Sequence, residues 1–459
     1  MDDGNGVIAK IPCPNAGPPS LTTASEVATL NFLRLYTSIR VPEVLAWSSD
    51  PANPVGAEYI IMEKIPGVAL AERWETMKTL ERYKVIDQIV EMEKELASLQ
   101  FPAYGSLFLR ESVPSEYRHY ALPPALDSAK LFCVGPSCDR SMWYKCFADE
   151  SKPVQDVGPW TSLSDFALST PQRELRLIKN KEAEVQNDLN CFSEGQSVNE
   201  YSDLLQRAED ILPILSQDPR VVEVARPVLW HTDLHFGNIF VSDDPTIIEG
   251  IIDWQSARIA PLFIQARFPE FLRPPKGYSP GTGIPSLPDN FEELDPEQKE
   301  QAIKDKASAT QSKYYEMSCL AYNKRVHEAM KLDRTLWEPF TCCQPFSKGS
   351  LVPLRNSLIR ISQDWARLGL PGSCPFAFPD EVVNMHEEQV VKYQDMLYLR
   401  DIVKTQLCTD DTGWVPMERW EETNKMNQYL FDMYLETMSE ELSPDAAAKT
   451  WPFPPTSLH

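Results

Sequence analysis

A cluster of His, Asp and Asn residues near the middle of the chain has the spacing that phosphoryl transfer from a nucleotide requires. Residues 231–238, His-Thr-Asp-Leu-His-Phe-Gly-Asn, follow the pattern His-x-Asp-x-x-x-x-Asn, and a second acidic residue follows in Ile-Ile-Asp-Trp at 251–254. In kinase-like phosphotransferases one carboxylate contacts the acceptor hydroxyl, while an Asn and a second Asp hold magnesium on the nucleotide phosphates. The pattern therefore predicts that Asp233 contacts the acceptor and that Asn238 and Asp253 bind magnesium.

Short apolar segments on either side of this motif predict strands that position it. Pro227 to Trp230 reads as a strand entering the loop 231–238, and Ile239 to Val241 as a strand leaving it. A turn at 243–245 leads into a further predicted strand, Thr246 to Ile252. Such a hairpin delivers Asp253 beside the loop, which explains how residues 20 positions apart (233 and 253) could share one ion.

Two other interpretations of the motif are open from the residues alone. An Asp before a turn is often only a cap or a turn residue. A zinc-dependent hydrolase is the alternative chemistry, because His231-x-Asp233-x-His235 offers ligand types that suit zinc. That alternative leaves Asn238 and Asp253 without a role, so the complete pattern favours phosphotransfer.

Composition indicates a globular protein and limits its partners. The 459 residues are 42% hydrophobic and 10% aromatic, and no run approaches the roughly 20 apolar residues of a membrane span. The net charge of −23 argues against nucleic acid or an anionic membrane as a partner. The ten cysteines are scattered, which is typical of reduced thiols in a cytosolic or matrix compartment.

The N-terminal segment has the order strand, helix, strand, strand. Lys10 interrupts the first predicted strand, Val7 to Ile11, and Glu26 lies in the first turns of the following helix. This order makes them candidates for the lysine that grips the α and β phosphates and the acidic residue that holds it. Thr23 and Glu26 also stand at capping-box spacing, which is the structural alternative. After the third strand, Glu63 and Ile65 are predicted to offer a backbone carbonyl and amide to the adenine edge.

Beyond the Pro66-Gly67 pair the chain reads as mainly helical. A long helix is predicted over 76–99, with Leu80 among its apolar-face residues. The region from about 101 to 165 looks irregular, and 269–296 reads as a long surface loop. Further helices are predicted at about 172–190, 199–216, 297–331, 350–368, 380–407 and 417–440. The predicted division is a small β-rich lobe over 1–66 and a large helical lobe over 67–459, the latter carrying the catalytic loop 231–238 and Asp253.

The chain resembles the aminoglycoside phosphotransferase (APH) family, and within it a fungal branch of phosphotransferase-like proteins that includes altered inheritance of mitochondria protein 9. The resemblance covers nearly the whole chain and rests on residues 8–10, 21–29, 59–65, 231–241, 250–256, 260–262 and 413–416.

The resemblance implies an α+β, protein-kinase-like bilobal fold that moves the γ-phosphate of ATP, with Mg²⁺, to a small-molecule hydroxyl. It implies Asp233 as catalytic base, Asn238 and Asp253 as magnesium ligands, and Lys10 and Glu26 as the phosphate-gripping pair. It also implies a mitochondrial location, with the cytoplasm as the alternative, although no leader is recognisable at the start of this sequence.

The start of the sequence departs from the family pattern. Residues 3–6, Asp-Gly-Asn-Gly, signal a hairpin turn whose second strand begins at Val7. We therefore expect the first two strands and the phosphate-covering loop of the small lobe to be missing, either because Met1 is internal to a longer protein or because the gene has lost them. Two function classes follow: an ATP-dependent phosphotransferase, and a non-catalytic relative that binds nucleotide or a protein partner.

Overall fold

The structure is a computed structural model that describes residues 6–13, 17–143, 156–192, 196–344, 350–409, 413, 415–439 and 443–453. The strands are β1 (Val7–Lys10), β2 (Val44–Ser48), β3 (Tyr59–Glu63), β4 (Val68–Ala69), β5 (Ser106–Leu109), β6 (Tyr120–Ala121), β7 (Phe132–Gly135), β8 (Pro227–Trp230), β9 (Ile239–Val241), β10 (Ile248–Ile251) and β11 (Arg258–Pro261). The helices are α1 (Leu21–Tyr36), α2 (Thr79–Ser98), α3 (Leu163–Phe192), α4 (Val198–Leu215), α5 (Pro219–Glu223), α6 (Leu262–Gln265), α7 (Pro296–Tyr322), α8 (Lys324–Met330), α9 (Arg334–Trp337), α10 (Val352–Asp364), α11 (Asp380–Leu407), α12 (Trp420–Met438) and α13 (Pro444–Thr450).

The chain divides into two compact units. Unit 1 comprises Met1–Ser169 and Pro213–Trp337, and unit 2 comprises Thr170–Leu212 and Glu338–His459. All of the strands belong to unit 1, whereas unit 2 is helical in its described part. This content confirms the predicted α+β class. The predicted boundary at residue 66 falls inside unit 1 and stays a prediction.

Unit 1 begins with an antiparallel sheet in the order β1-β3-β2. Val7 pairs with Glu63 and Lys10 with Ile60, so Lys10 lies at the end of β1. Helix α1 packs against β2 and β3 and is buried over most of its length. The predicted hairpin turn at Asp3-Gly4-Asn5-Gly6 lies outside the described residues except for Gly6.

Two antiparallel sheets frame the predicted catalytic loop. Strand β8 pairs with β11, and β9 pairs with β10 on one side and with β4 on the other. Ile239 lies opposite Ile251, so the residues just before β9 adjoin those just after β10. The chain crosses β9 closely at Gly67, where φ is +88° and a Cβ atom would lie 2.1 Å from the Val241 carbonyl oxygen. Only glycine fits this approach without strain.

The region predicted to be irregular from about 101 holds a three-stranded antiparallel sheet in the order β5-β7-β6. The prediction of irregular structure is therefore wrong for the described part of this region. The strands were missed because they are only two to four residues long, which is too short for an alternating pattern to stand out. The sheet packs on α1: the Phe32 and Phe132 rings meet edge to face at 5.5 Å. Tyr36 donates to Asp127 at 2.9 Å, and Asp127 also accepts the Phe132 amide at 2.7 Å.

Helices α2 and α7 form the main helical packing of unit 1. The α2 stripe of Val85, Ile89, Met92 and Leu96 is buried, as its 3.6-residue spacing predicts. Leu80 is the exception among the predicted apolar-face residues, because its side chain in the first turn is exposed. Helix α7 begins with a capping box in which Asp295 accepts the Gln298 amide at 2.8 Å. The predicted surface loop 269–296, all of it described, contains only short 3-10 turns before α7.

The helices of unit 2 match the predicted helical stretches. Helices α10, α11 and α12 lie within or close to the predicted ranges 350–368, 380–407 and 417–440. Trp451 and Leu407 belong to a small apolar cluster that joins α11, α12 and α13. Trp414, part of the late family motif, lies outside the described residues. No helix in the described part of the chain is long and apolar enough to cross a membrane.

Candidate functional site

The catalytic loop connects β8 to β9 and exposes the side chain of Asp233. That side chain is 67% exposed, whereas Trp230 and Asn238 at the two ends of the loop are buried. The Asp233 backbone oxygen accepts a hydrogen bond from the Asn238 amide nitrogen Nδ2 at 2.9 Å. The loop is therefore closed on itself by Asn238, with the Asp233 carboxylate turned to solvent.

His231 holds the catalytic loop to the segment that carries Asp253. Its Nδ1 accepts the Asp233 backbone amide at 3.3 Å, and its Nε2 lies 2.9 Å from the Ile252 carbonyl oxygen. Because Nδ1 is an acceptor, Nε2 carries the proton and donates to Ile252. Burial lowers the pKa of His231, which favours this neutral form. Its ring also packs edge to face on Trp254 at 4.7 Å.

This arrangement argues against the zinc alternative. Both ring nitrogens of His231 are engaged by backbone groups, and Nδ1 of His235 accepts the Gly237 amide at 3.0 Å. His231 therefore has no ring nitrogen left to bind a metal together with His235. In the described residues no group of three or more His, Cys, Asp or Glu side chains is placed to hold a metal ion.

Asn238 and Asp253 are brought together by the β9–β10 hairpin. The Ile252 amide donates to the Asn238 carbonyl oxygen at 3.0 Å, and Asp253 follows directly. Asp253 has φ of +59°, a left-handed conformation that is uncommon for a residue with a side chain. The backbone thus turns sharply at Asp253, whose side chain remains 43% exposed.

Lys10 reaches both acidic residues predicted around the phosphates. Its Nζ lies 2.7 and 2.9 Å from the two Glu26 carboxylate oxygens and 2.6 Å from Asp253 Oδ1. Burial disfavours the charge on Lys10, but Glu26 and Asp253 outweigh burial and raise the pKa of the ammonium group. Burial also raises the pKa of the Glu26 carboxyl, against the opposing effect of Lys10.

The interpretation of Glu26 as part of a helix cap is wrong. Helix α1 begins at Leu21, with Ser20 before it in a left-handed conformation, so Thr23 and Glu26 lie inside the helix. Glu58 forms the hydrogen bonds at the start of the helix instead. Its carboxylate accepts the Ser20 backbone amide at 2.8 Å and the Thr23 hydroxyl at 2.6 Å. A carboxylate near a helix N-terminus is stabilising. Nothing in the local sequence indicates Glu58, because it lies 35 residues from Thr23.

Glu63 and Ile65 lie where β3 ends and the chain leaves the first sheet. The Glu63 amide donates to the Glu43 carbonyl oxygen at 2.8 Å. Ile65 is buried, and a Cβ atom added to Gly250 would lie 3.0 Å from its side chain. The segment predicted to face adenine therefore rests on β10, three residues before Asp253. Their predicted backbone contacts to adenine remain predictions.

The side chains present fit magnesium better than a transition metal. The side-chain nitrogen of Asn238 donates to the Asp233 carbonyl oxygen, so the side-chain oxygen of Asn238 is the atom that could bind an ion. Asp253 adds carboxylate oxygens. Mg²⁺ prefers such hard oxygen donors and is usually held by one or two protein groups together with substrate phosphates.

Comparisons with known proteins identify the family of this chain. The sequence profile described as "Phosphotransferase enzyme family" (APH) matches residues 2–264, more than half of the chain. A subtelomeric hrmA-associated cluster protein of Aspergillus fumigatus is 28% identical over 98% of this chain and 92% of its own length. Altered inheritance of mitochondria protein 9 of Candida tropicalis is 29% identical over 66% of this chain and 51% of its own length.

Among solved structures, the gentamicin complex of APH(2")-IIa is similar with 12% identity and a TM-score of 0.37, covering 77% of this chain and 85% of that one. An apo structure of APH(4)-Ia has 16% identity and a TM-score of 0.35, covering 80% and 89%. The family assignment rests on the profile match, which spans both the Lys10–Glu26 pair and the catalytic loop, and it confirms the resemblance read from the motifs. The chain belongs to the APH phosphotransferase enzyme family, whose fold is protein-kinase-like.

Proposed function

We propose that this protein is an ATP-dependent phosphotransferase that moves the γ-phosphate to the hydroxyl of a small molecule. The observation that carries the proposal is the contact of Lys10 with both Glu26 and Asp253. A lysine held in this way can place its charge against nucleotide phosphates beside a magnesium-binding carboxylate. ATP-bound relatives are known, since one similar solved structure is a streptomycin-ATP-APH(2")-IIa ternary complex.

In this proposal each side chain has one task. Lys10 binds the α and β phosphates, and Glu26 holds Lys10 in place. Asn238 and Asp253 hold Mg²⁺, which when bound neutralises charge on the phosphates. Glu63 and Ile65 present backbone groups to adenine.

Asp233 acts on the acceptor. Its exposed carboxylate orients the acceptor hydroxyl and accepts its proton as the oxygen attacks the γ-phosphorus. The bond from that phosphorus to the bridging oxygen of ADP breaks as the new bond forms. The backbone bonds that Asp233 makes to Asn238 and His231 fix the loop, so the carboxylate is held in position before the acceptor binds.

The acceptor is proposed to bind between the catalytic loop and the start of the 269–296 loop. Phe271, from that loop, packs on Phe236 of the catalytic loop with ring centroids 4.5 Å apart. The loop is anchored farther along, where Glu316 accepts the Tyr278 hydroxyl at 2.5 Å and the Gly281 amide at 2.7 Å. This anchoring supports a fixed wall beside Asp233. It does not select one acceptor, and aminoglycosides do not follow from the family name.

The proposed location is mitochondrial, with the cytoplasm as the alternative. Several relatives are named altered inheritance of mitochondria protein 9, mitochondrial. A protease-protection assay on isolated mitochondria tests this proposal. Protein that is degraded with the cytosolic markers would contradict it.

Transfer from γ-³²P-labelled ATP to pooled hydroxyl compounds tests the proposed function. We expect a labelled product, or labelled inorganic phosphate with water as the acceptor, from the unchanged protein and none from Asp233→Asn. That variant should retain the fold and nucleotide binding, because its backbone contacts do not involve the carboxylate. Binding of Mg-ATP without any turnover would instead assign the chain to the non-catalytic class. Turnover that survives in Asp233→Asn would overturn the role of this residue.

A further inference from the structure

His235 lies between the predicted base and the predicted magnesium ligand. Its Nδ1 accepts the Gly237 backbone amide at 3.0 Å, and its Nε2 lies 3.9 Å from Asp233 Oδ2. The backbone amide of Asn238 donates to the His235 carbonyl oxygen at 3.0 Å. No role for His235 follows from the His-x-Asp-x-x-x-x-Asn pattern, which specifies no residue at its position.

The bond from Gly237 determines which way the imidazole presents its proton. A neutral histidine has one donor and one acceptor nitrogen. Because Nδ1 accepts the Gly237 N–H, the proton resides on Nε2, and Nε2 is the atom turned towards the Asp233 carboxylate. The Nε2–H group thus lies 3.9 Å from one specific oxygen, Oδ2, of the Asp233 side chain.

The ring can lie in this orientation because Gly237 has no side chain. A Cβ atom at position 237 would lie 2.9 Å from Cε1 and 3.1 Å from Nδ1 of His235. Any larger residue at 237 would push the ring out of its place. The ring is 39% exposed, so its position depends on this local fit more than on burial.

We propose that His235 is a positioning residue for Asp233. Its Nε2–H attracts Oδ2 and fixes the rotation of the carboxylate, which leaves Oδ1 directed at the acceptor hydroxyl. This proposal rests on the proposed phosphotransferase function, and it concerns orientation, with no proton passed to His235. Restricting a catalytic carboxylate to one rotamer lowers the entropy cost of reaching a reactive geometry.

A purely structural role is the alternative, because the His235 side chain also caps the 3-10 turn Phe236–Asn238. Two variants separate the two roles. In His235→Asn the amide oxygen stands near the position of Nδ1 and can keep the cap, but nothing reaches Asp233. In His235→Gln the amide nitrogen stands near the position of Nε2 and can reach Asp233.

The rate of Mg-ATP hydrolysis, with water as the acceptor, is the readout for both variants, together with melting temperature. We expect His235→Asn to keep its melting temperature and its KM for ATP while kcat falls roughly 10- to 100-fold, because orientation supplies only part of the roughly 10²- to 10⁴-fold contribution of a general base. His235→Gln should retain kcat within a few-fold even if its melting temperature falls. Unchanged kcat in His235→Asn, or no advantage of Gln over Asn, would overturn the proposal.

A second measurement does not depend on activity. Histidine-selective ¹⁵N NMR of the full chain should show His235 protonated at Nε2, with an Nε2 resonance that shifts in Asp233→Asn. Protonation at Nδ1 would contradict the proposal. If the unchanged protein neither hydrolyses ATP nor labels any acceptor, the proposed function fails, and the NMR result still decides whether His235 faces Asp233.

Discussion

Lys10 and Asp253 are 243 positions apart in the sequence, and their side chains meet with 2.6 Å between Nζ and Oδ1. The contact joins the end of β1 to the turn after β10. Since Glu26 holds the same ammonium group, one lysine links the first sheet, helix α1 and the β9–β10 hairpin. The side chains proposed to bind the phosphates therefore contact one another within unit 1.

Replacing Lys10 should destabilise the fold as well as weaken ATP binding. The Glu26 side chain is only 4% exposed, so Lys10→Met leaves a buried carboxylate without its cation, which costs about 3 kcal/mol. Urea unfolding of Lys10→Met measures the loss. The double variant Lys10→Met/Glu26→Gln should recover most of it, because the amide carries no charge. Equal stability of the single and double variants would show that Glu26 does not need Lys10 for burial.

Tyr36 should stabilise α1 through the buried Asp127 carboxylate. Burial opposes the charge of Asp127, but its hydrogen bonds from Phe132 and Tyr36 outweigh burial and lower the pKa of this carboxyl. Tyr36→Phe removes one of these bonds, for an expected loss of about 1–3 kcal/mol. Thermal unfolding measures it, with Tyr59→Phe as the control because its hydroxyl makes no hydrogen bond within the described part of the chain. A loss no larger than in the control would mean that the β5–β7–β6 sheet does not stabilise α1.

A buried carboxyl on α2 should make stability fall with rising pH. Burial raises the pKa of Glu93 to about 8, and its Oε2 accepts the Tyr315 hydroxyl at 2.6 Å. The unfolded carboxyl has a pKa near 4.5, so between pH 4.5 and about 8 the folded state binds more protons than the unfolded state. This group's contribution is therefore complete below pH 4.5 and declines by up to about 1.4 kcal/mol per pH unit as the pH rises through that window.

Urea unfolding at pH 6, 7 and 8 checks this slope against Glu93→Gln, which keeps an acceptor for Tyr315 but cannot ionise. The variant should lose less stability over this range than the unchanged protein. Parallel pH profiles would show that Glu93 is already ionised in the fold.

Replacing Gly67 should destabilise the protein more than replacing Gly56, which also has a positive φ. Gly67 and Gly56 both have positive φ, +88° and +76°, but a Cβ atom meets the Val241 carbonyl oxygen at 2.1 Å in the first and nothing within 4 Å in the second. Gly56→Ala should cost about 1–2 kcal/mol from backbone strain alone. Gly67→Ala should cost clearly more and shift the β4–β9 contact. Similar melting temperatures for the two variants would contradict this difference.

Local patterns predicted the elements that carry the site, and distant contacts decided the rest. The strands around the loop 231–238 and the long helices follow from apolar periodicity and turn residues, and so does the place of Asp253 just after the strand that pairs with β9. The sheet at β5–β7–β6 could not be predicted, because its strands are short and are defined only by pairing with each other. Glu58 at the start of α1 was missed for the same reason, since its partners are far away in the sequence.

Glu26 shows how one spacing can support two roles. Its distance from Thr23 fits a capping box, and its place in the helix after β1 fits a partner for Lys10. The start of α1 at Leu21 decides between them, because a residue in the second turn cannot cap the helix. The exact start of a helix is the least predictable feature of a sequence pattern.

The most direct test of the account is calorimetric titration of ATP into this chain with and without Mg²⁺, alongside Asp253→Asn and, as a matched control, Asp233→Asn. We predict binding that magnesium strengthens in the unchanged protein and in Asp233→Asn, and little or no effect of magnesium in Asp253→Asn. Absence of ATP binding under both conditions, or equal strengthening by magnesium in Asp253→Asn, would contradict the assignment of this site to magnesium and nucleotide.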